Sequence, residues 1–206
     1  MDYGYGIAVD GAGNAYVAGT TLSSEAEGFP VTVGPDLTYN TGYRDAFVAK
    51  VNVAGTALAY CGYIGGSDWD DGFGIAVDGA GNAYVVGGTV SSEAAGFPVR
   101  GGPDRTHNGV GDTFVAKVNV AGTGLVYAGY IGGSFWDDGL DIAVDGAGNA
   151  YVVGITGSSE AHGFPVAVGP DLTYNSDDYY YSRDAFVAKV GEAGTVTYLP
   201  AILRNY

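Results

Sequence analysis

The chain has 206 residues, 47% of them hydrophobic and 37 of them glycine, and its 23 acidic against 8 basic residues give a formal charge of −15. That apolar fraction argues against disorder, the lack of a Gly-X-Y period excludes collagen, and the negative charge repels phosphate backbones and anionic lipid. Nucleic acid is therefore not an expected partner, and with no apolar run near the ~18 residues that span a bilayer, neither membrane insertion nor a signal peptide is read in the chain.

The first strand is expected at GIAVD, ending at Asp10, and Asp10-Gly11-Ala12-Gly13-Asn14 then reads as a turn, because Gly and Asn tolerate positive φ. NAYVAGTT returns as a second strand, followed by a long loop rich in Ser, Gly and Pro. AFVAKVN opens the third strand, Val53-Ala54-Gly55-Thr56 turns the chain, and ALAYCGYIGG forms the fourth. The whole unit then recurs. IAVDGAGNAYVAG at Ile7 reappears as IAVDGAGNAYVVG at Ile75 and Ile142, spaced 68 and then 67 residues apart. DAFVAKV at Asp45 reappears as DTFVAKV at Asp112 and DAFVAKV at Asp184. Three copies fill the chain as one repeat array, with units of about 1–67, 68–134 and 135–206.

Both faces of these strands are apolar. In AFVAKVN, Phe47, Ala49 and Val51 lie on one face and Ala46 and Val48 on the other. A sheet wetted on one side would alternate apolar with polar residues. The pattern suits an all-β protein of four-stranded antiparallel β-propeller blades, each sandwiched between neighbours. A sandwich or a solenoid would use the same strands and stays open as an alternative.

The succession GIAVDGAGNAYVAGTT, GFPVTVGPDLTYN and DAFVAKVNVAGTALAYCGYIGGS resembles the SBBP-type bacterial β-propeller repeat, three times over. The resemblance implies a propeller blade, an extracellular or cell-surface location, and no shared catalytic constellation. Propellers close with roughly four to eight blades, so three leave the array open. No capping substitution covers the first or third copy, and open stacking faces invite aggregation or a partner. The expected partner is another copy of the chain, joined as a closed ring or as an extracellular filament or tube.

Two segments are the candidate contacts for such self-assembly. The apolar C-terminal tail offers Tyr198, Leu199, Pro200, Ile202, Leu203 and Tyr206, and the enlarged third loop offers Tyr179, Tyr180 and Tyr181. The other function class is a surface binding module recognising glycan or protein through its loops. Trp69 and Trp136, recurring beside carboxylates, are its candidate stacking residues. No cofactor is required. Were calcium bound, it would be sought first at Asp68, Asp70, Asp71, Asp137 and Asp138, since the D-x-x-x-N turns read better as hairpin chemistry. Cys61 matches Ala128 of the next copy and reads as a small packed residue. Adjacent Asp70 and Asp71 point to opposite faces of an extended chain, and no nucleophile or phosphate-loop motif occurs, so no enzyme is expected.

Overall fold

The computed structural model describes residues 1–40, 42–166, 173–174, 183–191 and 194–198. Among these residues are twelve strands: β1 (Asp2–Val9), β2 (Ala15–Thr21), β3 (Asp45–Val51), β4 (Leu58–Ile64), β5 (Asp70–Val77), β6 (Ala83–Thr89), β7 (Asp112–Val118), β8 (Leu125–Ile131), β9 (Asp137–Val144), β10 (Ala150–Thr156), β11 (Asp184–Val190) and β12 (Val196–Tyr198). Among the described residues the helical segments are two single 3-10 turns, Glu25–Glu27 and Glu160–His162. The strands form three four-stranded antiparallel meanders, β1–β4, β5–β8 and β9–β12. The protein is thus an all-β array of three propeller-type blades, left open.

The first strand of each blade begins before the apolar run that marks it, at Asp2, Asp70 and Asp137. A bulge separates the two halves: register shifts between Gly4 and Gly6, and again between Gly72 and Gly74, leaving Tyr5 and Phe73 unpaired. The hairpin that follows is a repeated device. Gly13, Gly81 and Gly148 hold φ of 86°, 88° and 81°, a left-handed conformation that costs only glycine nothing. The backbone N–H of Gly13 donates to the Asp10 carbonyl at 2.9 Å, closing the turn.

The long loop does more than connect. It runs back along the outer edge of its own blade and bonds to the fourth strand, Thr32 N–H to the Cys61 carbonyl (3.1 Å), Cys61 N–H to the Val33 carbonyl (2.7 Å) and Tyr63 N–H to the Asp36 carbonyl (2.9 Å). In the second blade Arg100 and Ala128 exchange two bonds of 2.8 Å. The edge that a four-stranded meander leaves open is therefore covered from within.

Blades stack through the first strand of each upon the sheet before it. β5 packs on β1, β2 and β3, and β9 packs on β5, β6 and β7. One core joins Tyr16, Val48, Tyr60 and Ile64 of the first blade to Ile75, Val85 and Phe114 of the second. A second core repeats this between Tyr84, Val86, Tyr127 and Ile131 and Ile142, Val152 and Phe186 of the third. Close approach requires glycine at fixed points. A Cβ at Gly87 would collide with the Asp71 carbonyl oxygen and lie 2.9 Å from the Phe114 ring, whereas one at Gly79 would meet nothing within 4 Å.

The contrast is testable by urea denaturation. Gly87→Ala should cost about 2–4 kcal/mol, because the obstacle is backbone and an aromatic ring that cannot both retreat, while Gly79→Ala should change stability by less than about 0.5 kcal/mol.

Candidate functional site

Positions equivalent in sequence are not equivalent in exposure. Ile75 and Ile142 are 5% and 7% exposed beneath the preceding blade, but Ile7 of the first blade is 71% exposed. Val9, Tyr5 and Tyr3 share its strand and are also exposed. The rest of that face is covered locally, where Phe29, Phe47, Cys61 and Tyr63 form a small core with Val31 and Tyr39 of the long loop. At the other end of the array Val153 is 40% exposed, where its counterpart Val86 is fully buried. The middle blade is covered on both sides: β7 is buried along its whole length.

Polar contacts register one blade on the next. The Tyr16 hydroxyl lies 3.1 Å from the Asp10 carboxylate and 3.3 Å from the Gly81 carbonyl in the next blade's turn. Tyr84 repeats this with Asp78 and Gly148. Asp70 N–H donates to the Arg44 carbonyl and Asp137 N–H to the Gly111 carbonyl, both at 2.9 Å. Arg44 grips Asp71 with two N–H donors at 2.6 Å, a bidentate pair across the first junction. Position 111 is glycine, so Asp138 takes its arginine from within its own blade, Arg183 at 2.8 Å.

Residues 2–24 match the family model described as the SBBP beta-propeller repeat. The matched segment, β1 through β2, recurs at 70–92 and 137–159 with the same strands and turn. The first repeat thus matches the SBBP propeller repeat, and the other two carry the same motif. No curated protein matched the chain.

Within these repeats the acidic turns are filled by their own donors. Asp10 accepts from the backbone N–H of Ala12 and Asn14 and from the Asn14 side-chain amide, at 2.8–3.0 Å. Lys50 lies 3.6 Å away and over the Tyr16 ring, and Lys117 sits likewise between Asp78 and Tyr84. In the third repeat the side-chain amide of Asn149, then its backbone N–H, hold the Asp145 carboxyl down at about 2.

The residues singled out for metal separate into different settings. Asp70 and Asp137 are wholly buried, and each accepts from a Thr hydroxyl, a Ser hydroxyl and a backbone N–H. Asp71 and Asp138 point instead to arginine, and Asp68 donates its own N–H to Ser91. Among the described residues, no group of three or more His, Cys, Asp or Glu could hold a metal ion.

Trp69 and Trp136 both line one cleft of about 290 Å3, whose lining also includes Arg44, Asp71, Asp138 and Arg183. Arg44 stacks 4.6 Å over the Trp69 ring and Tyr43 meets it edge-on at 5.5 Å, while Trp136 lies so close to Gly111 that no Cβ would fit. Burial pushes the Cys61 thiol up to about 11, so at neutral pH it is a thiol and not a thiolate. Tyr179, Tyr180, Tyr181, Leu199, Pro200, Ile202, Leu203 and Tyr206 lie outside the described residues. The backbone of Tyr198 closes β12 opposite Ala188.

Two buried residues were not singled out from the sequence. Asp45 and Asp112 open the third strand of their blades with no exposed surface, and Oδ1 of each has no hydrogen-bond partner. Their recurrence directly before the apolar AFVAKV or TFVAKV run was the available signal.

The turn network predicts acid sensitivity. Carboxyls held below their ordinary ~3.9 stabilise the fold above that pH, and the contribution is lost as pH falls from about 4 towards 2. Asp78→Ala, which empties one such turn at a blade junction, should cost about 2 kcal/mol in a denaturant titration at neutral pH.

Proposed function

We propose that the protein is a non-enzymatic structural repeat protein that assembles head-to-tail with copies of itself, the first blade of one chain seating on the third blade of another. The exposure of Ile7 carries this reading. The same residue is buried in the second and third repeats by the face of the preceding blade, and Val153 and Tyr151 offer that face at the far end. The contact would reuse pairs already present within the chain: Ile7 in the place of Ile75, and the Tyr151 hydroxyl reaching the Asp10–Asn14 turn as Tyr84 reaches its successor. Because the two surfaces differ, the contact is heterologous, and it gives a ring if the rotation closes and a filament if it does not. Two chains of three blades fall within the range of known closed propellers. An extracellular or cell-surface setting follows from the resemblance of the repeats and belongs to the same proposal.

Sedimentation velocity tests it. The wild-type chain should form oligomers, and Ile7→Asp or Val153→Asp should return it to monomer with little change in the melting of the isolated chain. Ile75→Ala, by contrast, should cost about 2–5 kcal/mol of folding stability, because its cavity lies inside the chain. A wild-type chain that stays monomeric at every concentration would overturn the reading. Negative-stain microscopy then separates rings from filaments.

The shared cleft of Trp69 and Trp136 supports a second reading, a surface module that binds a glycan or protein. Trp69 remains 40% exposed despite Arg44 and Tyr43. If this reading holds, a glycan array should give a signal that Trp69→Ala removes; silence on the array and unaltered assembly would leave the tryptophans a packing role.

A further inference from the structure

The blade junctions bury acidic groups against each other. A Cβ built on Gly132 would collide with Oδ1 of Asp112 and lie 3.0 Å from Oδ2 of Asp137, so only glycine fits beside the two carboxyl groups. At the first junction Gly65 stands in the same place, with Oδ2 of Asp70 at 2.7 Å and Asp45 opening the adjoining strand. Each pair joins the third strand of one blade to the first strand of the next, and all four side chains have no exposed surface. Asp45 accepts from Asn40 N–H at 3.0 Å and Asp112 from Asn108 N–H at 2.8 Å, both through Oδ2. Oδ1 of both is left without a donor.

The hydrogen bonds identify which member is ionised. Ser91 Oγ accepts from Asp68 N–H, and Thr89 Oγ1 accepts from Ser91 N–H, so both hydroxyl protons are free to point at Asp70. Gly66 N–H adds a third donor. Asp137 has the same arrangement from Thr156, Ser158 and Gly133, with Phe135 N–H and Ser158 N–H feeding the two hydroxyls. The donors make Asp70 and Asp137 the members that ionise first, although burial still pushes both up to about 6. The neighbour of each, with one buried oxygen left without a donor, needs a proton of its own. A divalent cation is a poorer occupant, since calcium asks for six to eight oxygens and these sites gather two carboxyl groups.

We propose that each blade junction is locked by one proton held between Asp45 and Asp70, or Asp112 and Asp137.

The surroundings reinforce the demand for a proton. Facing Asp45 are Asp36 and Tyr39 of the long loop, Tyr63 of β4, and Asp70 of β5, while the neighbouring Arg44 spends its guanidinium on Asp71. Facing Asp112 are Asp104 of the loop, Tyr130 of β8 with His107 stacked edge-on against it, and Asp137 of β9. Burial, then the charge of the partner carboxylate, pushes Asp45 and Asp112 up to about 7. A carboxyl whose affinity for protons rises on folding stabilises the fold fully below its ordinary ~3.9, and that stabilisation is lost as pH rises towards about 7.

The test is melting temperature and sedimentation velocity of the full chain between about pH 5 and pH 8, where exposed carboxyls are already ionised. The wild-type Tm should fall across that interval, and Asp45→Asn with Asp112→Asn should flatten the slope, since an amide donates to the carboxylate at any pH. If the double variant fails to fold, the infrared carbonyl stretch of a protonated carboxyl in the wild type at about pH 6 reports the same proton without substitution. A flat wild-type Tm, or a slope unchanged in the Asn variants, overturns the lock. So does calcium raising the wild-type Tm at the alkaline end but not that of the variants, which would make the pair a cation site. A chain monomeric throughout, with a slope the variants remove, supports the lock and overturns the head-to-tail reading.

Discussion

The constraint on which this protein depends is that a blade apolar on both faces cannot bury itself. A four-stranded meander has two sides, and the sequence gives neither to water. Burial of one Ile or Val side chain is worth about 1.5–3 kcal/mol, whereas a net hydrogen bond is worth about 1 kcal/mol. The stacking of blades therefore supplies most of the stabilisation, and the polar contacts at each junction choose the register. Small residues make the stacking possible: Ala46, Ala83, Ala116 and Ala150 are wholly buried where larger side chains would hold the sheets apart.

Against that background the polar residues divide by where they lie. Those at the hairpin turns, such as Asp10 with Asn14, Tyr16 and Lys50, satisfy one another at the rim and reach only one hydrogen bond into the next blade. Those at the strand starts are buried at the junction itself. Asp70 and Asp71 are adjacent in sequence but belong to different systems, because alternate residues of a strand face opposite sides. Asp70 closes the connector around Gly66 and Ser91; Asp71 meets Thr20 and Arg44 of the blade before. The junction is thus specified on both sides of one strand.

What could be read from the sequence follows from what is local. The strands, the glycine turns and the repeat period rest on neighbouring residues, so IAVDGAGNAYVVG announces its hairpin unaided. The extra edge contact of Val33 with Cys61 was hidden, because a Ser, Gly and Pro-rich loop carries no strand pattern and its hydrogen bonds are made by backbone alone. The first four residues of β1, β5 and β9 were hidden for a similar reason: Gly72 and Gly74 flank a bulge that interrupts the alternation. Asp45 and Asp112 were legible as recurring residues but not as members of pairs. Their partners lie in the following blade, and nothing in either segment names the other. Trp69 and Trp136, by contrast, were singled out together and do share a cleft, though Arg44 and Gly111, which cover them, lie in the preceding loops.

The repeats also differ in ways that give the array a direction. Arg44 spans the first junction, but Gly111 at the second leaves Asp138 to Arg183 of the same blade. Tyr3 stands in the first repeat where Asp71 and Asp138 stand in the others, so a chain placed before this one would find no carboxylate for its own arginine at that point. A contact between chains would then lack the bidentate pair of the first junction, as the second junction already does. The second junction shows that Ile142 is buried to 7% exposure without an arginine bridge. The arginine is therefore an addition to blade stacking and not a condition of it, and its absence at the ends does not disqualify them as stacking surfaces.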